Sequence, residues 1–186
     1  MKNNENLVDL LDLCADLFAF PQTTWCERYQ KLGEFANGEF AEFFEKPSNL
    51  KFKNLKSPNL NEIISNYINY FDLNSLKFQT SLMAGIWLDN KIFGVSYDEI
   101  CKFYESCGYK VEKNCDHISN LIAFCAILAE GGEFENLNKF CKFLTWFGDL
   151  RINLAKFPNL IEFEFILSFT EFLISNLQRS KNDSKC

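Results

Sequence analysis

The side chains with the most chemical capacity lie close together: Cys107, Cys115, Asp116 and His117. Two thiolates and an imidazole are zinc-type ligands, and thiols are also redox-active. Structural zinc, however, usually shows closely paired Cys or His ligands, and none of the eight cysteines forms a C-x-x-C pair. The competing reading is structural. Asp116 is placed to cap a helix, and His117 to pack in its first turn. His117 is the single histidine, so a Ser–His–Asp triad or a multi-histidine metal centre has little to build on. Phosphate-cradling glycine motifs and H-E-x-x-H are absent, and the carboxylates are scattered over expected outer faces. No catalytic residue and no resident cofactor or metal is expected.

The elements that position these residues read as helices. Leu7, Leu10, Leu11, Cys14, Leu17 and Phe18 form one apolar face, and Pro21 ends that helix. Thr24 to Glu27 has capping-box form and opens a helix bearing Trp25, Tyr29, Leu32 and Phe35, with Gly38 beyond. A short helix over Glu39–Glu45 and a basic surface loop over 46–58 follow. Leu60, Ile63, Ile64, Tyr67, Ile68 and Phe71 make the next face. Ser81 to Leu88 is apolar, and Asp89-Asn90 turns the chain. Ser96 to Glu99 is a second capping box, whose helix stops at a left-handed Gly108. A helix from Asp116 ends at Gly131-Gly132, and the next is closed by Gly148. A long helix from Asn159 to about Arg179 follows Pro158. IEFEF alternates like a strand, but it sits in a helical run and no hairpin signal accompanies it. The expected fold is all-α: one helical domain over 1–180, with a polar tail at 181–186.

The chain has 186 residues, enough to bury a core without disulfides or metals. Phe is unusually abundant, with 21 copies, and is expected mainly in the core. A net charge of −6 and a pI near 4.9 disfavour nucleic acid or anionic membrane and suit a basic peptide. The first residues carry Glu5, Asp9, Asp12 and Asp16 among apolar ones, unlike a secretory signal. The late apolar stretch is broken by Glu162, Glu164 and Glu171, so no transmembrane helix is expected. The expected location is the cytoplasm, with the cysteines as reduced thiols, mostly buried.

The segment from Tyr67 to Phe147 resembles the TorD/DmsD (NarJ-like) chaperones that mature molybdenum enzymes. The family pattern has a helix ending in Tyr, three residues, then Gly. A loop then leads to an Asp-His-Ile that opens the next helix. ICKFYESCGYKVEKNCDHISNLIAFCAIL matches at Tyr104, Gly108, Asp116, His117, Ile118 and Phe124. FQTSLMAGIWLDNKIFG matches at Ser81 and Gly94, NKFCKFLTWFGDL at Trp146, and the opening Phe-x-x-Pro at Phe18 and Pro21. Cys115 stands where Pro is usual and Lys142 where His is usual, and the acidic residues that typically follow Asp-His-Ile are missing, with Leu121 and Ala123 nearby instead.

This resemblance implies an all-α chaperone, not an enzyme. Its partner would be a molybdoenzyme catalytic-subunit precursor, bound at an N-terminal, often twin-arginine, region. The apoenzyme would be held until molybdopterin is inserted, before export. Such a leader is basic at one end and apolar along its middle, and suits an aromatic groove in an acidic helical protein. The client-binding residues implied are Asp116, His117, Trp87, Ser81, Tyr104 and Trp146. Asp116 either pairs with a client Arg or caps its helix. His117 either titrates near its ordinary value of ~6.5 or packs. The state is a monomer or a segment-swapped dimer. The alternative is a metal- or redox-thiol-binding helical protein using Cys107, Cys115 and His117.

Overall fold

A computed structural model describes residues 2–38, 58–73, 79–111 and 113–180, and these are helical with connecting turns. Helix α1 (Lys2–Phe18) buries the expected face, from Leu7 to Phe18, against α6 (Ile118–Glu130) and α9 (Ile161–Ser180). Helix α2 (Trp25–Asn37) turns back on α1, and the Trp25 indole N–H donates to Leu17 O at 3.0 Å. Gly38 ends α2 as expected. Thr24, in contrast, has helical dihedrals and no side-chain capping bond. An N-cap hydroxyl reaches the first-turn amides from an extended backbone, which Thr24 lacks. The expected helix Glu39–Glu45, the loop up to residue 57 and the tail 181–186 lie outside the described residues.

Helix α3 (Leu60–Asn66) is capped by Asn59 and continues as a wider π-helical turn, Tyr67–Asp72. The wider turn carries Tyr67 and Phe71 inward, where both rings meet Phe163 of α9. Phe18 and Trp25 close on the same ring. Phe163 is thus the centre of one aromatic cluster, and among the described residues most Phe side chains are buried or packed against the core. A second cluster joins Phe103, Tyr104, Phe124, Phe140 and Phe143.

Helices α4 (Ala84–Asp89) and α5 (Val95–Ser106) pack on each other and present the site described below. The expected capping box at Ser96 does not form. Helix α5 starts at Val95, and the Ser96 N–H and hydroxyl donate instead to the Asp89 carboxylate. The α5 chain leaves through Gly108 at φ +83°, the left-handed conformation expected there. Helix α7 (Phe134–Phe140) tightens into a 3₁₀ turn, Cys141–Leu144. Gly148 does not close that helix. It lies inside α8 (Phe147–Leu154), whose buried Phe147, Leu150 and Leu154 carry the apolar face onward. A 3₁₀ turn, Pro158–Leu160, leads into α9, which contains the IEFEF segment. Among the described residues the single β feature is an isolated antiparallel bridge, Met83 to His117.

Candidate functional site

That bridge is the structural centre of the site. Ala84 N–H donates to Asp116 O at 2.9 Å, and Ile118 N–H donates to Leu82 O at 2.8 Å. Gly85 N–H donates to the Asp116 carboxylate at 2.9 Å. The start of α4 and the start of α6 are thereby laced together. Asp116 is fully buried, and its second carboxylate oxygen has no hydrogen-bond partner. Burial raises its pKa, against the opposing pull of the Gly85 N–H. Asp116 is not the N-cap of α6. His117 is: its Nδ1 accepts from Ser119 N–H at 3.2 Å, with an extended backbone. The Asp116 carboxylate is taken by the Gly85 N–H of α4, and the next residue inherits the cap. Burial lowers the His117 pKa to about 4, so the ring is the neutral acceptor its capping bond needs.

Close approach demands the glycines here. A Cβ on Gly85 would stand 2.6 Å from Lys91 O and 3.2 Å from Asp116 Oδ2. A Cβ on Gly94 would collide with the Asp89 carboxylate. Asn90, left-handed at φ +56°, turns the chain between them, and Lys91 N–H returns to Gly85 O at 3.1 Å. The resulting loop is tied at both ends yet carries an apolar crown. Ile92 is 48% exposed, Phe93 72% and Val95 68%. Opposite them, Ile152 of α8 is 58% exposed. Between the two lies an open cavity of about 690 Å³, its walls including Ile86, Trp87, Ile92 and Ile152 with Lys91 and Asp149.

Of the residues expected from sequence, Trp87 reaches this cavity. Its indole N–H donates to Ser81 O at 2.8 Å, and its ring stacks on Trp146 with centroids 5.8 Å apart. Ser81 is buried, its hydroxyl accepting from Met83 N–H at 3.2 Å. Trp146 is buried and donates to Phe143 O, while the buried Tyr104 hydroxyl donates to Asn120 O at 3.1 Å. Burial pushes the Tyr104 pKa up. Ser81 and Trp146 thus meet Trp87 without lining the cavity, whereas Tyr104 packs apart from them, against Phe124 and Phe140. Sequence reasoning passed over Ile92, Phe93, Ile152 and Asp149. The available signal was an apolar run, KIFGV, directly after a turn and outside any helical period.

The cysteines differ from expectation. Cys115 is not a free thiol; it is disulfide-bonded to Cys101 of α5, with Cα atoms 5.9 Å apart. The proposed Cys107, Cys115 and His117 ligand set is therefore broken. Among the described residues, no group of three His, Cys, Asp or Glu side chains is placed to hold a metal ion. The free thiols of Cys14 and Cys125 are buried, as expected of small apolar packing groups. Among the described residues, no helix is long and apolar enough to cross a membrane.

The sequence profile described as nitrate reductase delta subunit matches residues 22–145. The chain belongs to the nitrate reductase delta subunit family. No curated protein sequence and no solved structure gives a match to it. Members of this NarJ/TorD-like family are non-catalytic chaperones of molybdoenzyme maturation, and this chain has that general role. The family match spans the bridge, α4 and the crown loop. It stops before α8, so Asp149 and Ile152 supply the far wall from outside the matched region.

Proposed function

We propose that the chain is a cytoplasmic chaperone that binds the N-terminal, twin-arginine-type region of a molybdoenzyme catalytic subunit. It holds that apoenzyme until molybdopterin is inserted, before export. The observation that carries the reading is the exposed apolar pair Ile92 and Ile152 on the walls of a cavity that Trp87 also lines, with the exposed Phe93 next to Ile92 in the chain. Contiguous exposed apolar surface of this kind marks an interaction site. A leader that is apolar along its middle covers the rim, and Asp149 on the same wall offers a carboxylate to its basic end. The net charge of −6 favours encounter with such a peptide. Ser81, Asp116, His117 and Trp146 act in this reading as positioning residues. Ser81 and Trp146 hold Trp87, and Asp116 and His117 hold the start of α4. Tyr104 packs the core beside Phe124 and Phe140.

Calorimetric titration with a synthetic peptide tests this, the peptide having paired arginines followed by an apolar run. Exchanging Phe93 for Ser removes a largely exposed ring and leaves the core intact. Loss of the buried ring area should weaken binding about tenfold or more. Added salt should weaken it further but only in part, because the apolar contact is not screened. Equal affinity of the wild type and Phe93→Ser would remove the rim from the binding site.

A further inference from the structure

The Cys101–Cys115 disulfide occupies a telling position. It ties α5 to the residue immediately before Asp116; Asp116 accepts from the Ala84 and Gly85 N–H groups of α4, and His117 bridges to Met83 beside it. The ring it closes has a sequence separation of 14 and includes the exposed Gly108, Tyr109, Lys110, Lys113 and Asn114. Apart from the disulfide, the loop is held by lighter contacts. Tyr109 N–H donates to Tyr104 O, and the Asn120 amide donates to Asn114 O at 2.8 Å. The two sulfurs are not equally accessible. Cys115 is 1% exposed, whereas Cys101 is half-buried on the flank of α5.

We propose that Cys101–Cys115 is a thiol–disulfide exchange site that sets how firmly the Asp116 junction grips α4 and the crown loop. The co-reactant is a dithiol reductant. One of its thiolates attacks Cys101 Sγ, the accessible sulfur, and breaks the bond to Cys115, which leaves as a thiolate and takes up a proton. The reductant's second thiol displaces Cys101 and closes its own disulfide. Two electrons and two protons pass from reductant to protein. Opening a ring of this length returns chain entropy worth roughly a hundredfold in an unfolding equilibrium. The released loop then lets the junction open more often while the packed helices persist. The oxidised form holds the client face rigid; the reduced form loosens it. The coupling to client rests on the function proposed above. The effect on the junction does not.

The experiment compares the full chain in two states, air-oxidised and treated with dithiothreitol. Mass measurement after thiol blocking counts the free cysteines in each. Amide hydrogen exchange is then read at Ala84, Gly85 and Ile118, the three donors of the junction. Reduction should speed exchange at these amides by about tenfold or more, with helix content unchanged. A Cys101→Ser, Cys115→Ser double variant should exchange at the fast rate in both conditions. Equal exchange in the two wild-type states overturns the proposal, as does oxidised protein in which both cysteines remain free. Because the amides report without client, faster exchange stands even if the leader peptide fails to bind.

Discussion

Substituting Gly85 by Ala tests how α4 is packed against the crown loop. The added Cβ would lie 2.6 Å from Lys91 O, against an ordinary contact of 3.4 Å or more, so about 0.8 Å must be found. The obstructing atom is backbone, in a turn whose Lys91 N–H already bonds back to Gly85 O. Ile92 O at 3.1 Å and Asp116 Oδ2 at 3.2 Å block the other directions. Overpacking of this kind costs about 1–3 kcal/mol. Ala in place of Gly within a helix gives back about 1 kcal/mol. Because a backbone obstacle cannot swing aside, the upper part of the steric range applies. The net loss should be about 1–2 kcal/mol, or a fall in melting temperature of roughly 2–8 °C for a chain of this size. Gly131→Ala is the control: it sits in a right-handed helical conformation, with its nearest neighbour at 3.4 Å. That variant should melt at or slightly above the wild-type temperature. Calorimetry on the two proteins decides the matter. If Gly85→Ala melts as high as Gly131→Ala, the close packing of α4 against the crown loop has been misjudged.

Other perturbations address the junction and the core. NMR titration of His117, the single histidine, should give a pKa of about 4 in the folded chain, against 6.5 unfolded. The native state then binds fewer protons between those values, so the His117 contribution rises with pH across that window and is lost as pH falls through it. His117→Asn keeps a capping acceptor and should abolish this slope. Asp116 runs the other way. Its native pKa lies above 3.8, so its contribution falls as pH rises through the window just above that value. Asp116→Asn should flatten that part of the stability curve while preserving the acceptor for Gly85. Phe163→Ala, at the centre of the α1–α3–α9 cluster, should cost about 3–5 kcal/mol in denaturant unfolding.

The helical architecture was legible because its signals are periodic and local. The apolar face of α1, the left-handed Gly108 and the Asn90 turn all follow from residue type and spacing. What escaped was decided by distant partners. Ser96 has a good capping-box sequence, but the Asp89 carboxylate takes both its N–H and its hydroxyl. Asp116 is a strong capping residue, yet the Gly85 N–H of α4 takes its carboxylate and leaves the cap to His117. The Cys101–Cys115 pair has no spacing signature, since it joins a helix flank to a loop. The crown of Ile92 and Phe93 was in view as an apolar run. Its exposure was not, because that depends on how the loop folds back: Gly85 lets the Lys91 and Ile92 carbonyls approach closely, and Gly94 leaves room for the Asp89 side chain.

The central claim is that the rim beside Trp87 receives the leader of a molybdoenzyme precursor. The most direct measurement is capture from cells expressing the tagged wild-type chain or the Phe93→Ser, Ile152→Ser variant, with bound proteins identified by mass spectrometry. The wild type should retain a molybdopterin-dependent catalytic subunit still carrying its N-terminal extension. The folded variant should lose this subunit. Retention of the same precursor by both proteins would contradict the claim.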